Sequence, residues 1–402
     1  MAARRLSHRV DLVRPSPTLA MNKRAAQLRK EGRDIIPLSL GEPDFHTPET
    51  VKAAGIAAID RNFTKYTAPD GCAELKAAIT EKLRRENGLD FGVNQVVVGS
   101  GAKIVILAAL FSILDPGDEV VIPVPYWVSY PDLVTLAGGV PRFASTTEDT
   151  GFKLTAEGLE SVLNKTTRAL ILNSPNNPTG AVYTREEMRS LGDVLKNWPD
   201  VWIVTDELYE HLVYGEYKAT SFAQAVPDLA DRTVTVNGFS KGYVMTGWRL
   251  GFAAGPHDIL ATIGDFLSQM HGSPSSIAQA AAIAALNGDQ AFLANNLAIL
   301  RERRDMVVQR AREIPSLSMV CPDGTFYAFP GCGGMINRKS PGGRFLATDN
   351  DVVEALLEEA GVAAMPGSVF GSSPYLRISY AIETPLLIEA IRRIALFADA
   401  LQ

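Results

Sequence analysis

A lysine and an arginine eight residues apart, Lys241 and Arg249, are the strongest candidates for chemistry in this 402-residue sequence. They lie between two apolar runs, 234–236 and 250–254, which we expect to be short buried strands. Aromatic residues stand near the lysine: Phe239, Tyr243 and Trp248. An ammonium among such rings loses hydration, so its pKa falls and it can act as an amine nucleophile, while the arginine suits a phosphate or carboxylate. A strand-end lysine beside a structural arginine is the alternative.

The elements that must position this pair alternate along the chain. Apolar runs predict strands at 95–99, 119–124, 169–173, 201–206, 233–236 and 250–254. Helical patterns lie between most of them, and Thr184 to Glu187 matches a capping box. Strands without polar alternation, separated by helices, predict an α/β fold with a mainly parallel sheet covered on both faces. Ligands of such sheets bind at the carboxyl ends of the strands.

Polar or aromatic residues follow four of these strands. Gly101 stands in a small-residue loop that opens a helix and could bind an anion, although a plain tight turn explains the loop too. Trp127 follows the second strand, where a core tryptophan is the alternative. Asn177 stands in a turn with two prolines, which allows a cis X–Pro bond. Asp206 closes an apolar run, where a carboxylate needs a partner unless it caps a helix.

Two of these segments resemble known signatures. Ser240-Lys241, followed by Thr246-Gly247-Trp248-Arg249-Leu250-Gly251, resembles the lysine signature of class I aminotransferases, which are pyridoxal-phosphate enzymes of fold type I. Asn177-Pro178-Thr179-Gly180 is similar to another signature of that family. The motifs occur in family order over nearly the whole chain. One departure is Gly238, where many members have a serine three residues before the lysine.

The resemblance implies pyridoxal 5'-phosphate as cofactor and assigns roles residue by residue. Lys241 would form the internal aldimine and shuttle the substrate proton, with Asp206 on the ring nitrogen and Tyr209 on the phenolic oxygen as further catalytic residues. The other implied cofactor-binding residues are Ser100, Gly101, Ala102, Trp127, Asn177, Ser240, Arg249 and, from a partner chain, Tyr66. The implied substrate-binding residues are Gly41, Trp127, Asn177, Arg377 and Lys103.

The resemblance is closest to the bacterial aspartate/prephenate aminotransferase branch, on residues 63–71, the Gly-Ala-Lys loop and residues 125–131. It implies ping-pong transfer of an amino group from L-aspartate to 2-oxoglutarate. Lys103 is the candidate for the distal carboxylate, with Arg14 second, and a surface lysine in a first helical turn is the alternative. Ile104 and Met270-His271-Gly272 depart from that branch.

Other activities therefore stay open. One alternative is an aromatic, prephenate or broad-specificity aminotransferase, and a second is a β-lyase on the same scaffold. A third is a cofactor-binding regulator, but such proteins usually carry an added DNA-binding domain, for which the early first strand leaves no room.

Composition and organisation set the remaining expectations. A net charge of −6 without a basic stripe argues against a nucleic-acid partner. No signal-peptide core follows the basic start, and the apolar run 277–286 is too short to cross a bilayer. Three unevenly spaced cysteines predict free thiols in a cytoplasmic protein and no metal site. We expect a large cofactor domain at 46–290, a smaller α+β domain from 1–45 and 291–402, and a homodimer with shared active sites.

Overall fold

The computed structural model describes Ser7, Leu12 and residues 15–402. The helices are α1 (Pro17–Lys30), α2 (Glu49–Asp60), α3 (Ala73–Lys82), α4 (Ala102–Ile113), α5 (Tyr130–Leu136), α6 (Ala156–Val162), α7 (Arg185–Leu195), α8 (Phe222–Ala225), α9 (His257–His271), α10 (Ser276–Asn287), α11 (Ala291–Arg312), α12 (Asp349–Ala355) and α13 (Thr384–Asp399). The strands are β1 (Ile36–Pro37), β2 (Val96–Gly99), β3 (Glu119–Val124), β4 (Val140–Ser145), β5 (Thr167–Asn173), β6 (Trp202–Asp206), β7 (Thr233–Gly238), β8 (Gly251–Ala254), β9 (Tyr327–Ala328), β10 (Val362–Ala363), β11 (Met365–Pro366) and β12 (Leu376–Ser379).

A seven-stranded sheet in the order β2-β8-β7-β6-β5-β3-β4 organises the chain. Strand β8 runs antiparallel to both neighbours, and the other pairs are parallel. The predicted α/β fold with a mainly parallel sheet is therefore confirmed. Strands β2, β7 and β8 are buried along their whole length, and β5 is buried except at Arg168, as their mainly apolar sequences predict.

The edge strand β4 was missed by the sequence pattern. Its residues are mostly exposed or half-buried, and Pro141 and Arg142 interrupt the apolar run. Strand β4 pairs with β3 on one side only. An edge strand with this composition carries no signal that separates it from a loop.

Helix α4 points its N-terminus at the carboxyl end of this sheet. It is apolar almost all round, because it packs on β7 and β8 on one side and on α9 on the other. Burying each of its large aliphatic side chains contributes about 1.5–3 kcal/mol. The backbone amides at its start are therefore held in a fixed position.

A smaller unit forms around the antiparallel sheet β11-β12-β9. Strand β1 pairs in parallel with β10, so the N-terminal segment returns to the C-terminal part of the chain, as expected. Ile36 and Leu38 share a hydrophobic cluster with side chains from α11, α12 and α13. The seven-stranded sheet lies wholly within residues 96–254, while the boundaries at 45/46 and 290/291 stay a prediction. Among the described residues, no helix has the length and apolar character that a bilayer crossing requires.

Candidate active site

A cavity of about 480 Å³ lies at the carboxyl ends of the parallel strands, between the sheet and the smaller unit. Every predicted site residue except Ser100, Gly101 and Tyr66 lines it. Those that do are Gly41, Ala102, Lys103, Trp127, Asn177, Asp206, Tyr209, Ser240, Lys241, Arg249 and Arg377. The strands of the large sheet, the N-terminal segment and β12 of the smaller unit bring these residues together from positions more than 300 apart in the sequence.

Lys241 stands on the turn after β7 with its amine inside the cavity. Its Nζ donates a hydrogen bond to the carbonyl oxygen of Gly41 over 2.5 Å. The aromatic rings of Tyr209 and Phe326 have their centroids 5.8 Å from this Nζ. Burial, and next the positive charge of Arg377, lower the pKa of Lys241 to about 8. The lysine is therefore partly neutral near neutral pH, as an amine nucleophile requires.

The rings around Lys241 are not those that the sequence suggested. Phe239 and Tyr243 are buried in a separate hydrophobic cluster with side chains of α3 and α10, and Trp248 packs against that cluster. The expectation of an amine among these three rings was wrong, because the turn directs them away from the cavity. The pKa of Lys241 is nevertheless lowered, as expected from the sequence.

Asp206 ends β6 with both carboxylate oxygens anchored. Oδ2 accepts a hydrogen bond from the hydroxyl of Tyr130 over 2.7 Å, and Oδ1 accepts one from the backbone N–H of Leu208 over 3.2 Å. Burial raises the pKa of Asp206, although Tyr130, Leu208 and the Lys241 charge act in the opposite direction. Tyr130 is a site residue without a predicted role, and its place three residues after Trp127 was the only signal for it.

An anion pocket forms where Gly101 precedes α4. Gly101 has φ +102°, and a Cβ built on it would lie 2.5 Å from Nη2 of Arg249. A Cβ on Gly251 would lie 2.3 Å from the backbone nitrogen of Ala102. A side chain at either position would clash, so only glycines let Arg249 and the segment at Gly251 come this close to the start of α4. The N-terminus of α4 and the guanidinium of Arg249 therefore lie side by side. Backbone N–H groups, a helix N-terminus and an arginine are the donors that a phosphate group requires, and the cavity therefore fits the phosphate of the implied cofactor.

Arg377 is a buried cation whose charge has no carboxylate partner among the described residues. Its side chain is 3% exposed. Nη1 donates to Oδ1 of Asn177 over 3.1 Å, Nη2 donates to the carbonyl oxygen of Ser39 over 2.9 Å, and Nε has no partner. Burial lowers the pKa of Arg377. A buried guanidinium bound only to neutral oxygens is a site for an anion.

The sequence profile of the family described as "Aminotransferase class I and II" matches residues 33–394. The chain belongs to this family. The aspartate/prephenate aminotransferase of Cereibacter sphaeroides is 50% identical over 396 residues, which cover 98% of this chain and 99% of that protein. The crystal structure of the aspartate aminotransferase from Rhizobium meliloti has a TM-score of 0.96 at 46% identity, with 100% of each chain covered. The aspartate aminotransferase of Thermus thermophilus with maleate has a TM-score of 0.92 at 39% identity, covering 98% of this chain and 100% of that one.

This aminotransferase is thus a pyridoxal-phosphate-dependent enzyme of fold type I. Lys103, in the first turn of α4, has its Nζ 4.9 Å from the ring centroid of Trp127. Partial burial, and next the charge of Arg249, lower the pKa of Lys103. Arg14, the second candidate for a distal carboxylate, lies outside the described residues.

Three predicted cofactor residues of the aminotransferase do not line the main cavity. Gly101 lies next to the guanidinium of Arg249, since a Cβ built on it would lie 2.5 Å from Nη2. Ser100 lines an adjoining pocket with Arg249, and its Oγ lies 3.2 Å from Nδ1 of His271. Tyr66 is 94% exposed. Within one chain it therefore does not belong to the site.

The structure also gives a reason for a glycine at position 238, where the resemblance led us to expect a serine. A Cβ on Gly238 would lie 3.0 Å from the Cα of Gly251 and 3.1 Å from Cδ1 of Leu208. A serine there would therefore require neighbouring atoms to move.

Two further groups were not anticipated. Tyr327 lines the cavity, where its ring centroid lies 4.4 Å from Cζ of Arg377 and its hydroxyl 3.2 Å from that of Tyr209. Away from the cavity, potential metal ligands of Glu86, Glu210 and His211 lie within 4.8 Å of one another. The ammonium of the buried Lys82 forms salt bridges with both glutamates, which makes this cluster a compensated charge network.

Proposed function

We propose that this aminotransferase moves the amino group of L-aspartate to a 2-oxo acid, 2-oxoglutarate in the first instance, by ping-pong kinetics. The names of the relatives support this choice, since three of the most similar carry aspartate in their names at 46–50% identity over nearly the full chain. The buried Arg377, whose guanidinium pairs with no described carboxylate, is the observation in this chain that carries the proposal. It supplies the anion site that an α-carboxylate needs.

The cofactor would be held by residues from five strand ends. Lys241 would bind it covalently through Nζ, Asp206 would face the ring nitrogen, and Trp127 would cover one ring face. Asn177 and Tyr209 would donate to the phenolic oxygen. The phosphate would be bound by Ser100, Gly101, Ala102, Ser240 and Arg249. When bound, pyridoxal phosphate supplies an electron sink for the pair of electrons left at the substrate Cα.

The chain's own groups then bind the substrate and move its proton. Arg377 would hold the α-carboxylate, with the backbone of Gly41 beside it. Nζ of Lys241, once released, would take the proton from Cα and later return one, which needs an amine that is neutral at working pH. The pKa of about 8 gives it a neutral fraction under those conditions. Lys103 would bind the distal carboxylate of aspartate at the mouth of the cavity.

Prephenate is the second acceptor that we propose, because relatives from Cereibacter sphaeroides and Nitrosomonas europaea are named aspartate/prephenate aminotransferases. Prephenate carries a ring carboxylate in addition to its 2-oxo acid group. The same pair of cations, Arg377 and Lys103, would then serve both substrates. Assays of wild-type enzyme and Lys103→Ala with each acceptor would test this.

A homodimer with shared sites completes the proposal. Tyr66, 94% exposed in one chain, would reach the partner's cofactor phosphate. We also propose a cytoplasmic location, which is supported by the free thiols of Cys72, Cys321 and Cys332.

An absorbance spectrum of the purified protein tests the activity directly, beside a Lys241→Ala variant. Bound pyridoxal phosphate absorbs at about 360–430 nm, and conversion to the amine form moves the band to about 330 nm, as expected when the cofactor takes the amino group. L-Aspartate should cause this shift in the wild-type protein only. A band that ignores aspartate but responds to an aromatic amino acid would contradict the substrate. Repeated release of pyruvate, ammonia and hydrogen sulfide from L-cysteine without an acceptor would indicate a β-lyase instead.

A further inference from the structure

We propose that Tyr130 is a positioning residue for the transamination chemistry, because its hydroxyl holds Asp206 in place and keeps that carboxylate a weak base toward the cofactor's ring nitrogen. The inference rests on the proposed role of Asp206. It concerns a residue to which the family resemblance gave no role. Tyr130 would act through Asp206, since its hydroxyl bonds the carboxylate that would face the ring nitrogen.

Two structural features fix the geometry of this pair. Tyr130 is 2% exposed, and it begins α5 directly after the loop that carries Trp127. The two rings meet edge to face, with centroids 5.3 Å apart and an interplanar angle of 82°. The same short loop therefore sets both the ring that would cover the cofactor and the hydroxyl that anchors Asp206.

In the hydrogen bond with Asp206, the hydroxyl of Tyr130 is the donor and the carboxylate is the acceptor. Asp206 Oδ2 accepts at 2.7 Å, which is the length of a charge-assisted O–H···O⁻ bond. Burial, and next the charge of Asp206, raise the pKa of Tyr130 well above its usual range, so the proton stays on the tyrosine. The other groups that face this carboxylate are the N–H of Leu208, the amine of Lys241 and the hydroxyl of Tyr209.

The hydrogen bond from Tyr130 would affect the position of the proton between Asp206 and the cofactor's ring nitrogen. A hydrogen-bond donor to a carboxylate stabilises its charged form and makes it a weaker base. With pyridoxal phosphate bound, a proton shared between Asp206 and the ring nitrogen would then stay on the nitrogen, where the ring needs it to accept electrons. Without the tyrosine hydroxyl, the buried carboxylate gains basicity and draws that proton towards itself.

The test compares the wild-type holoenzyme with Tyr130→Phe, each reconstituted with pyridoxal phosphate that is ¹⁵N-labelled in the ring. We expect the ¹⁵N resonance of Tyr130→Phe to move towards the position of an unprotonated pyridine. The rate of the half-reaction with L-aspartate should fall about 10-fold, which corresponds to one charged hydrogen bond, with little change in KM. Tyr183→Phe is the matched control, because this buried tyrosine bonds the backbone N–H of Leu154 outside the cavity.

A second variant keeps the proposal testable if Tyr130→Phe does not fold. Tyr130→3-fluorotyrosine preserves the shape and makes the hydroxyl a stronger donor, so the resonance should move towards the protonated position. Tyr130 variants that leave the resonance and the rate of the half-reaction at wild-type values would overturn the inference. An Asp206→Asn variant separates the two proposals: if it leaves the ¹⁵N resonance unchanged, the proposed role of Asp206 itself fails.

Discussion

The guanidinium of Arg377 donates a hydrogen bond to the side-chain oxygen of Asn177 over 3.1 Å, and this bond joins the smaller unit to the carboxyl end of β5. The two residues are 200 positions apart in the sequence. Arg377 also binds the carbonyl oxygen of Ser39, so three separate segments meet at one cation. The predicted carboxylate site and part of the predicted cofactor site are thus one connected structure.

Arg377→Lys should raise the KM for L-aspartate and for 2-oxoglutarate by about 100-fold, because a single ammonium cannot reproduce the two-pronged grip of a guanidinium on a carboxylate. Steady-state kinetics with both substrates would measure this. Arg304→Lys is a control of similar geometry, since that guanidinium lies 4.6 Å from the ring of Tyr214 away from the cavity. Equal effects of the two variants would contradict the proposed carboxylate site.

Lys103→Ala should raise the KM for L-aspartate by about 10-fold or more, as expected for the loss of one charged contact. The KM for L-phenylalanine should stay near its wild-type value, because that substrate lacks the distal carboxylate. Lys196→Ala removes a surface ammonium that pairs with Asp193 and serves as control. A parallel loss with both amino acids would mean that Lys103 supports the loop and does not read the substrate.

Mixing Tyr66→Ala chains with Lys241→Ala chains should restore activity. In a mixed dimer, one site combines an intact Lys241 with the partner's intact Tyr66, so random pairing in equal amounts gives about a quarter of wild-type activity. Each variant alone would be inactive or weak. The experiment requires unfolding and refolding of the mixture, followed by the aspartate assay. Activity no higher than the average of the separate variants would argue against a shared site.

Gly101→Ala should weaken pyridoxal-phosphate binding more than Gly117→Ala. Both glycines have positive φ, +102° and +96°, so both substitutions strain the backbone to a similar extent. They differ in surroundings: the new methyl group at 101 would meet Nη2 of Arg249 at 2.5 Å, whereas at 117 nothing lies within 4 Å. Titration of the apoenzyme with cofactor, followed by absorbance, measures both affinities. Equal affinities would contradict the anion pocket.

Glu207→Gln should remove a pH dependence of stability. Burial, and next the charge of Glu210, raise the pKa of Glu207 to about 7 from an ordinary value of 4.5. The folded state therefore binds more protons than the unfolded state between these values, and stability falls as pH rises from about 4.5 to 7. The amide variant should be more stable than wild type above pH 7, by on the order of 3 kcal/mol. Urea unfolding of both proteins at pH 5 and pH 8 would measure this difference. If the free energy of unfolding depends on pH in the same way in both proteins, the raised pKa of Glu207 is refuted.

The local sequence determined most of the fold and the chemical types at the site. Strand β3 spans the predicted residues 119–124. The capping box at the start of α7 forms as predicted, with Thr184 and Glu187 bonded to each other's backbone N–H. Such features depend on neighbours three or four residues away, so the sequence contains all that decides them. The strand-end rule then placed Asp206, Asn177 and Lys241 at one edge of the sheet.

Tertiary structure alone decided which side chains surround those residues. The rings at Lys241 come from Tyr209 and Phe326, 32 and 85 positions away, and not from its neighbours in the turn. Tyr130 lies within the segment 125–131 that carried part of the resemblance, yet its bond to Asp206 depends on how α5 packs across the end of β6. Likewise, Arg377 is identified as an anion site because no carboxylate among the described residues around it pairs with its charge. Burial and long-range contact set these properties, and a sequence pattern records neither of them.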